Sequence, residues 1–196
     1  ARAEWYENPG AGNIRVPGTA HWTRYLVFEG VDNESPTFAD ITGDGKPELI
    51  CMNGGKLGWV EYDAEQPGKR WTFHAASGPD MGQRYTHGLG HGDINGDGRS
   101  DLMMRQGWWE QPESLNGDPE WTFHAYPFAG RGGAQMYAYD IDGDGDRDVV
   151  SSDNAHGYGL YWFEQRPNED GSIGFVKHKI MGATTAENPS GVVIGN

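Results

Sequence analysis

One nine-residue pattern, met three times in register, constrains this chain more than any other feature. Asp40-Ile-Thr-Gly-Asp44-Gly-Lys-Pro-Glu48 returns as Asp93-Ile-Asn-Gly-Asp97-Gly-Arg-Ser-Asp101 and as Asp140-Ile-Asp-Gly-Asp144-Gly-Asp-Arg-Asp148. The first acids stand 53 and 47 residues apart. A fixed period of that size marks a repeat architecture, and a propeller blade takes about 40–50 residues. Two other signatures keep the same beat. One is Trp5-Tyr-Glu7, Trp59-Val-Glu61, Trp108-Trp-Glu110 and Trp162-Phe-Glu164. The other is Trp71-Thr-Phe-His74, Trp121-Thr-Phe-His124 and Phe175-Val-Lys-His178, with Trp22-Thr-Arg-Tyr25 in the matching place near the start.

Each unit reads as four extended segments. In the middle one they are Leu89 to Ile94, Leu102 to Arg105, Trp108 to Gln111 and Trp121 to Ala125. They are rich in aromatic and apolar residues and bounded by Gly, Pro, Asn and Asp, which are strand signals. No long stretch has helical apolar spacing. The expected fold is all-β, a β-propeller of four-stranded antiparallel blades. The expected divisions are a partial blade at 1–30, blades at 31–79, 80–129 and 130–181, and the start of another at 182–196. Blades bury their faces against neighbours, so this length calls for further blades or another subunit to complete the ring.

Within each nonapeptide, oxygen-bearing side chains occupy positions 1, 3, 5 and 9, with Gly at 4 and 6. Calcium takes six to eight oxygens at about 2.3–2.6 Å, and ligands on alternate residues of a tight turn converge on one point. The expected side-chain ligands are Asp40, Thr42, Asp44 and Glu48; Asp93, Asn95, Asp97 and Asp101; and Asp140, Asp142, Asp144 and Asp148. Position 7 (Lys46, Arg99, Asp146) is expected to give only its backbone carbonyl, leaving its side chain free to vary. About three Ca²⁺ per chain follow. An EF-hand is excluded, because its twelfth position needs Glu and here holds Cys51, Met104 and Ser151. Without a cation, these clustered carboxylates would repel one another.

Composition narrows the partners. The 196 residues carry a net charge of −14 and no basic tract, which excludes a nucleic-acid partner. No apolar run approaches the ~18–20 residues of a membrane span. An aromatic share of 12% is too high for a disordered acidic chain. The single cysteine, Cys51, rules out an internal disulfide framework, and its apolar setting predicts a buried, inert thiol. The opening Ala-Arg-Ala-Glu-Trp shows no signal-peptide core.

The acidic loops resemble those of the FG-GAP/VCBS repeat family, whose blades carry a calcium loop between the first and second strands. The resemblance implies an extracellular or periplasmic propeller. It also implies that the loops share one rim, while the entry to strand one and the turn between strands two and three share the other. On that second rim the repeats stop repeating. Six residues before each first acid stand Glu34, His87 and Ala134, and the longest turn, Asp153 to Gly159, carries His156 and Tyr158. Two imidazoles and a carboxylate suit a zinc shell with an open position. Read singly, each of these residues is an ordinary surface group. Tyr85 and His91 flank His87 as candidate catalytic proton-transfer groups, and Tyr85 and Tyr158 could instead stack on a sugar. His74, His124 and His178 recur in register and are read as packing residues, with the Glu of each Trp-x-Glu triplet capping a backbone donor. Asn33-Glu-Ser35 is a formal glycosylation sequon.

The segments from His87 to Arg99, Gly107 to Pro112 and Ala155 to Gln165 are similar to the propeller domain of the aldos-2-ulose dehydratase (1,5-anhydrofructose dehydratase) family. That resemblance implies a seven-bladed-type propeller, of which this chain spans about half. It also implies a zinc ion acting as Lewis acid while water leaves a keto-sugar, with His87 and His156 as its candidate ligands. Two functions from different classes remain: a metal-dependent carbohydrate lyase, or a calcium-stiffened module that binds glycan or protein without chemistry.

Overall fold

The structure is a computed structural model that describes residues 1–11, 22–82, 84–130 and 132–182. The expected start of a further blade lies, beyond Gly182, outside the described residues. All regular structure placed in sheets is antiparallel. Strands β1 (Arg2–Glu7) and β2 (Thr23–Glu29) form a two-stranded sheet. Three four-stranded meanders follow: β3 (Thr37–Ala39), β4 (Glu48–Asn53), β5 (Lys56–Glu61) and β6 (Thr72–Ala75); β7 (Leu89–Gly92), β8 (Asp101–Met104), β9 (Gly107–Glu110) and β10 (Thr122–Ala125); β11 (Tyr137–Tyr139), β12 (Asp148–Ser152), β13 (Leu160–Pro167) and β14 (Ile173–Met181). Consecutive strands pair within each sheet, the order of a propeller blade.

Strand periodicity sends alternate side chains to opposite faces, and here both faces are buried. On β4, Ile50 and Met52 join one core layer while Cys51 joins another. On β8, Leu102 and Met104 face the second sheet while Met103 faces the fourth. On β9, Trp109 and Trp108 divide in the same way. The apolar core is therefore three layers, each trapped between successive sheets. Main-chain bonds stitch the blades as well. Trp71 N donates to Val27 O and Trp121 N to Ala76 O, both at 2.8 Å, and Met136 N donates to Leu89 O at 2.9 Å. Burial pushes the Cys51 thiol up to about 12, so it stays an unreactive packing group.

The recurrent Trp and His meet across a ladder. Register pairs Trp59 with His74, Trp108 with His124 and Trp162 with His178. The rings stack at centroid distances of 5.2, 4.1 and 4.6 Å. The Glu of the triplet does not cap a backbone donor, as the sequence reading expected. Glu110 and Glu164 each reach the Nε2 of their blade's histidine at 2.8 Å, and Glu61 reaches that of His74 at 3.4 Å. The cause is register: Trp and Glu are two residues apart on one strand, so their side chains share the face on which the histidine lies. The sequon is also corrected. Asn33 is 6% exposed, its Oδ1 accepts the Met52 N–H at 2.9 Å and its Nδ2 is buried, so the amide nitrogen that a glycan would need is enclosed rather than offered to solvent.

Candidate metal sites on the two rims

The acidic loops join the first and second strands of each four-stranded sheet. Their geometry begins with glycine. Gly43 and Gly45, Gly96 and Gly98, and Gly143 and Gly145 have φ between 75° and 102°, the left-handed region, and nothing lies within 4 Å of where their Cβ would be. Backbone conformation, not space, demands glycine there. The turn wraps each first acid in N–H groups. Asp40 accepts from Gly43 N (2.7 Å) and Gly45 N (2.9 Å), Asp140 from Gly143 N (2.7 Å) and Gly145 N (3.2 Å), and Asp93 from Asp97 N (3.0 Å) and Gly98 N (2.9 Å). Each fifth-position acid accepts the N–H two residues on, as in Asp44 with Lys46 N at 2.8 Å. Asn95 Oδ1 and Asp142 Oδ1 likewise take the N–H of Asp97 and Asp144, at 3.1 and 3.2 Å.

Two sets of three carboxylates converge with ligand atoms all within 4.8 Å: Asp40, Asp44 and Glu48, and Asp140, Asp142 and Asp144. In the second loop the third position is Asn95, whose Nδ2 donates to Asp97 Oδ2 at 2.9 Å. The third loop carries no local cation at position 7. There Asp146 Oδ1 is buried without a hydrogen-bond partner, and burial, aided by the charges of Asp144 and Asp148, pushes its carboxyl up to about 6. Burial also raises Asp142. An orphaned carboxylate oxygen amid four other acids fits a hard divalent cation. Position 7 side chains are not idle elsewhere: Lys46 Nζ lies 3.3 Å from Asp44 Oδ2, and Arg99 pairs with Asp97 while its Nε donates to Gln111 O at 3.0 Å. The loop's own acids attract whatever cation stands next to them.

The ninth position has a second role that the sequence reading did not assign. Glu48, Asp101 and Asp148 are at most 2% exposed. Asp101 Oδ2 accepts from Ile94 N at 2.8 Å and Oδ1 from Gln111 N at 2.9 Å; Asp148 does the same with Ile141 N at 3.0 Å and Gln165 N at 2.8 Å. Glu48 accepts from Ile41 N at 3.0 Å. In all three loops this acid closes the turn on itself, and Asp101 and Asp148 also tie their loops to the C-terminal part of the third strand. Burial pushes Asp101 up to about 7 against the pull of its two N–H partners, and raises Glu48.

Gln111 and Gln165 carry a role that the sequence does not assign them. Gln111 Nε2 donates to Ser100 O (2.9 Å) in its own blade and to Ile41 O (2.7 Å) in the preceding blade's acidic loop. With its amide turned to donate, Gln165 repeats this on Arg147 O (3.3 Å) and Ile94 O (3.0 Å). Each glutamine thus fastens one acidic loop to the next. The signal was the recurrence of Glu-Gln after a Trp-aromatic pair, as Glu110-Gln111 and Glu164-Gln165, against Glu61-Tyr62 in the first four-stranded sheet.

At the opposite strand ends, residues far apart in sequence meet. His87 enters β7, and the turn from Asp153 to Gly159 links β12 to β13. His156 Nε2 lies 3.1 Å from His87 Nε2, the rings edge to face with centroids 4.8 Å apart. Glu34 Oε2 lies 3.4 Å from the same His87 nitrogen. These three do not all fall within the 4.8 Å of the carboxylate sets, because exposed Glu34 reaches the pair only through His87. Ala155 N donates to Gly132 O at 2.7 Å, and a Cβ on Gly132 would sit 3.0 Å from His87 O, so the histidine-bearing segments are packed through this glycine. Tyr85 stays on this rim. It is 61% exposed, with φ of 69° and its N–H on Asp32 O at 2.7 Å. His91 is set apart from the pair. It lies on β7 at the acidic-loop end, its Nδ1 3.4 Å from Ser100 Oγ, and burial lowers its imidazole below the ordinary value.

Fold and loops together define a class: antiparallel propeller-type blades, each four-stranded sheet carrying one acid-rich loop. Residues 40–104, from the first loop through β8, match the FG-GAP-like repeat model. No curated protein and no solved structure matches the chain, so the dehydratase resemblance gains no support from relatives. Among the described residues no helix is long and apolar enough to cross a membrane.

Proposed function

We propose that the chain is a calcium-stiffened stretch of an extracellular β-propeller whose opposite rim holds zinc and acts on carbohydrate. The observation that supports the second half is the approach of His87 and His156 Nε2 to 3.1 Å from positions 69 residues apart, with Glu34 beside them. Imidazoles sharing a tetrahedral zinc at about 2.0–2.1 Å lie roughly 3.3 Å from each other, so the pair has the right span. Bound there, the metal would polarise a ketone oxygen as a Lewis acid. The chain's own residues would do the rest: Glu34, beside His87, is the nearest carboxylate to the pair and would have to swing in to join the donor set, and the Tyr85 hydroxyl would exchange a proton with a sugar. A keto-sugar dehydratase is the enzyme this donor set suits.

A second reading has its own support. Tyr85 and Tyr158, 61% and 72% exposed, offer ring faces on which a sugar can stack without chemistry. Metal analysis separates the two. After dialysis against excess Ca²⁺, one zinc per chain is expected, lost in His87→Ala and His156→Ala with calcium content unchanged. A chain that retains no zinc abandons the metal centre. Zinc retained without turnover of keto-sugars leaves the binding module.

A further inference from the structure

We propose that the cleft beside His87 takes an anionic sugar, its carboxylate or sulfate held by Arg84 and Arg105. The proposal rests on the carbohydrate reading above and adds the substrate class. The cleft, about 660 Å³, is lined by Asp80, Arg84, Tyr85, His87 and Arg105 among others, a volume suited to one or a few sugar rings. Its charge is out of keeping with the chain. The sequence has 29 acids against 15 Lys and Arg, yet two arginines line this one cleft, and like Arg2, Lys56, Lys69, Arg147 and Lys179 they stand apart from the chain's described carboxylates. Among the described residues neither Arg84 nor Arg105 has a carboxylate within 4.0 Å, although Asp80 lines the same cleft.

Both arginines are positioned rather than loose. The Arg84 guanidinium lies 5.1 Å from the Tyr85 ring centroid. Arg105 Nη1 donates to Gly130 O at 3.1 Å, and Gly130 N donates to Asp153 O at 3.1 Å, at the start of the turn that carries His156. An arginine has five donors in a planar fork, and Arg105 spends one of them here. What remains matches a carboxylate or sulfate, which accept two parallel N–H bonds. Tyr85, turned outward by its left-handed backbone, adds the apolar face that a sugar ring needs.

The test compares matched probes at fixed free calcium by titration calorimetry: tetragalacturonate against its methyl ester, and neocarratetraose sulfate against its desulfated form. One acidic member is expected to bind at least tenfold more tightly than its neutral partner, and the arm that does so names the anion. Arg84→Gln with Arg105→Gln should erase the preference while zinc content and melting temperature hold. Arg84→Gln alone, at an exposed side chain, should cut the preference several-fold if the double variant does not fold. Equal binding of acidic and neutral members, or a double variant that keeps the preference, overturns the proposal. Binding of neutral sugars alone sinks it and leaves the carbohydrate reading standing. Binding of neither sinks both, and zinc content reads the metal centre independently.

Discussion

EDTA is expected to lower the melting temperature by roughly 15–30 °C relative to the same protein in millimolar calcium. A ligand at a hundred times its dissociation constant stabilises by about 2.7 kcal/mol per site. Three loops acting independently contribute about 8 kcal/mol, and a domain of this size shifts about 2–4 °C per kcal/mol. Mutual repulsion of clustered carboxylates supplies the reason. Asp40, Asp44 and Glu48, and Asp140, Asp142 and Asp144, hold their oxygens within 4.8 Å, and Asp146 Oδ1 has no partner. Differential scanning calorimetry with and without calcium reads the effect directly. A curve that moves by less than a few degrees would remove calcium from the account of stability.

The second large effect concerns Asp101. Asp101→Ala is expected to cost about 3 kcal/mol, roughly 6–12 °C, even in EDTA, because it strands the buried N–H groups of Ile94 and Gln111. Asp93→Ala should instead lose most of its effect once calcium is removed, since Asp93 is bonded only within its exposed loop. The same carboxyl predicts a pH dependence. Its folded value of about 7 lies above the ordinary unfolded value near 3.9, so its favourable contribution is complete below pH 4 and is lost as pH rises through 7. Asp146, raised to about 6, acts in the same direction. In EDTA the wild type should therefore melt lower at pH 8 than at pH 5, and Asp101→Ala should show less of this fall. Calcium, which binds ionised acids, should abolish it. Equal sensitivity of both variants to EDTA would mean that the ninth position is only a ligand.

Period and alternation carried the architecture. The middle unit's strands were expected to begin at Leu89, Leu102, Trp108 and Trp121, and the sheet begins them at Leu89, Asp101, Gly107 and Thr122. Asp101 is drawn into the strand because its carboxylate bonds the backbone of both flanking segments, a duty that a ligand count cannot reveal. Glu110 departs from its expected capping role because its histidine partner, His124, lies 14 residues away across a ladder whose register is set by the fold. Gln111 escaped because its partner Ile41 is 70 residues away in another blade. His87 and His156 could be singled out only as departures from the repeat, since nothing local joins them. His91 was grouped with His87 by proximity in sequence, yet four residues of extended chain cover about 13 Å and carry it to the other rim.

A count of bound calcium tests the central claim most directly. Equilibrium dialysis with atomic emission should find about three ions per chain, and Asp40→Ala, Asp93→Ala and Asp140→Ala should each remove one. A wild-type chain with none bound at millimolar calcium, or a count unmoved by all three substitutions, would contradict it.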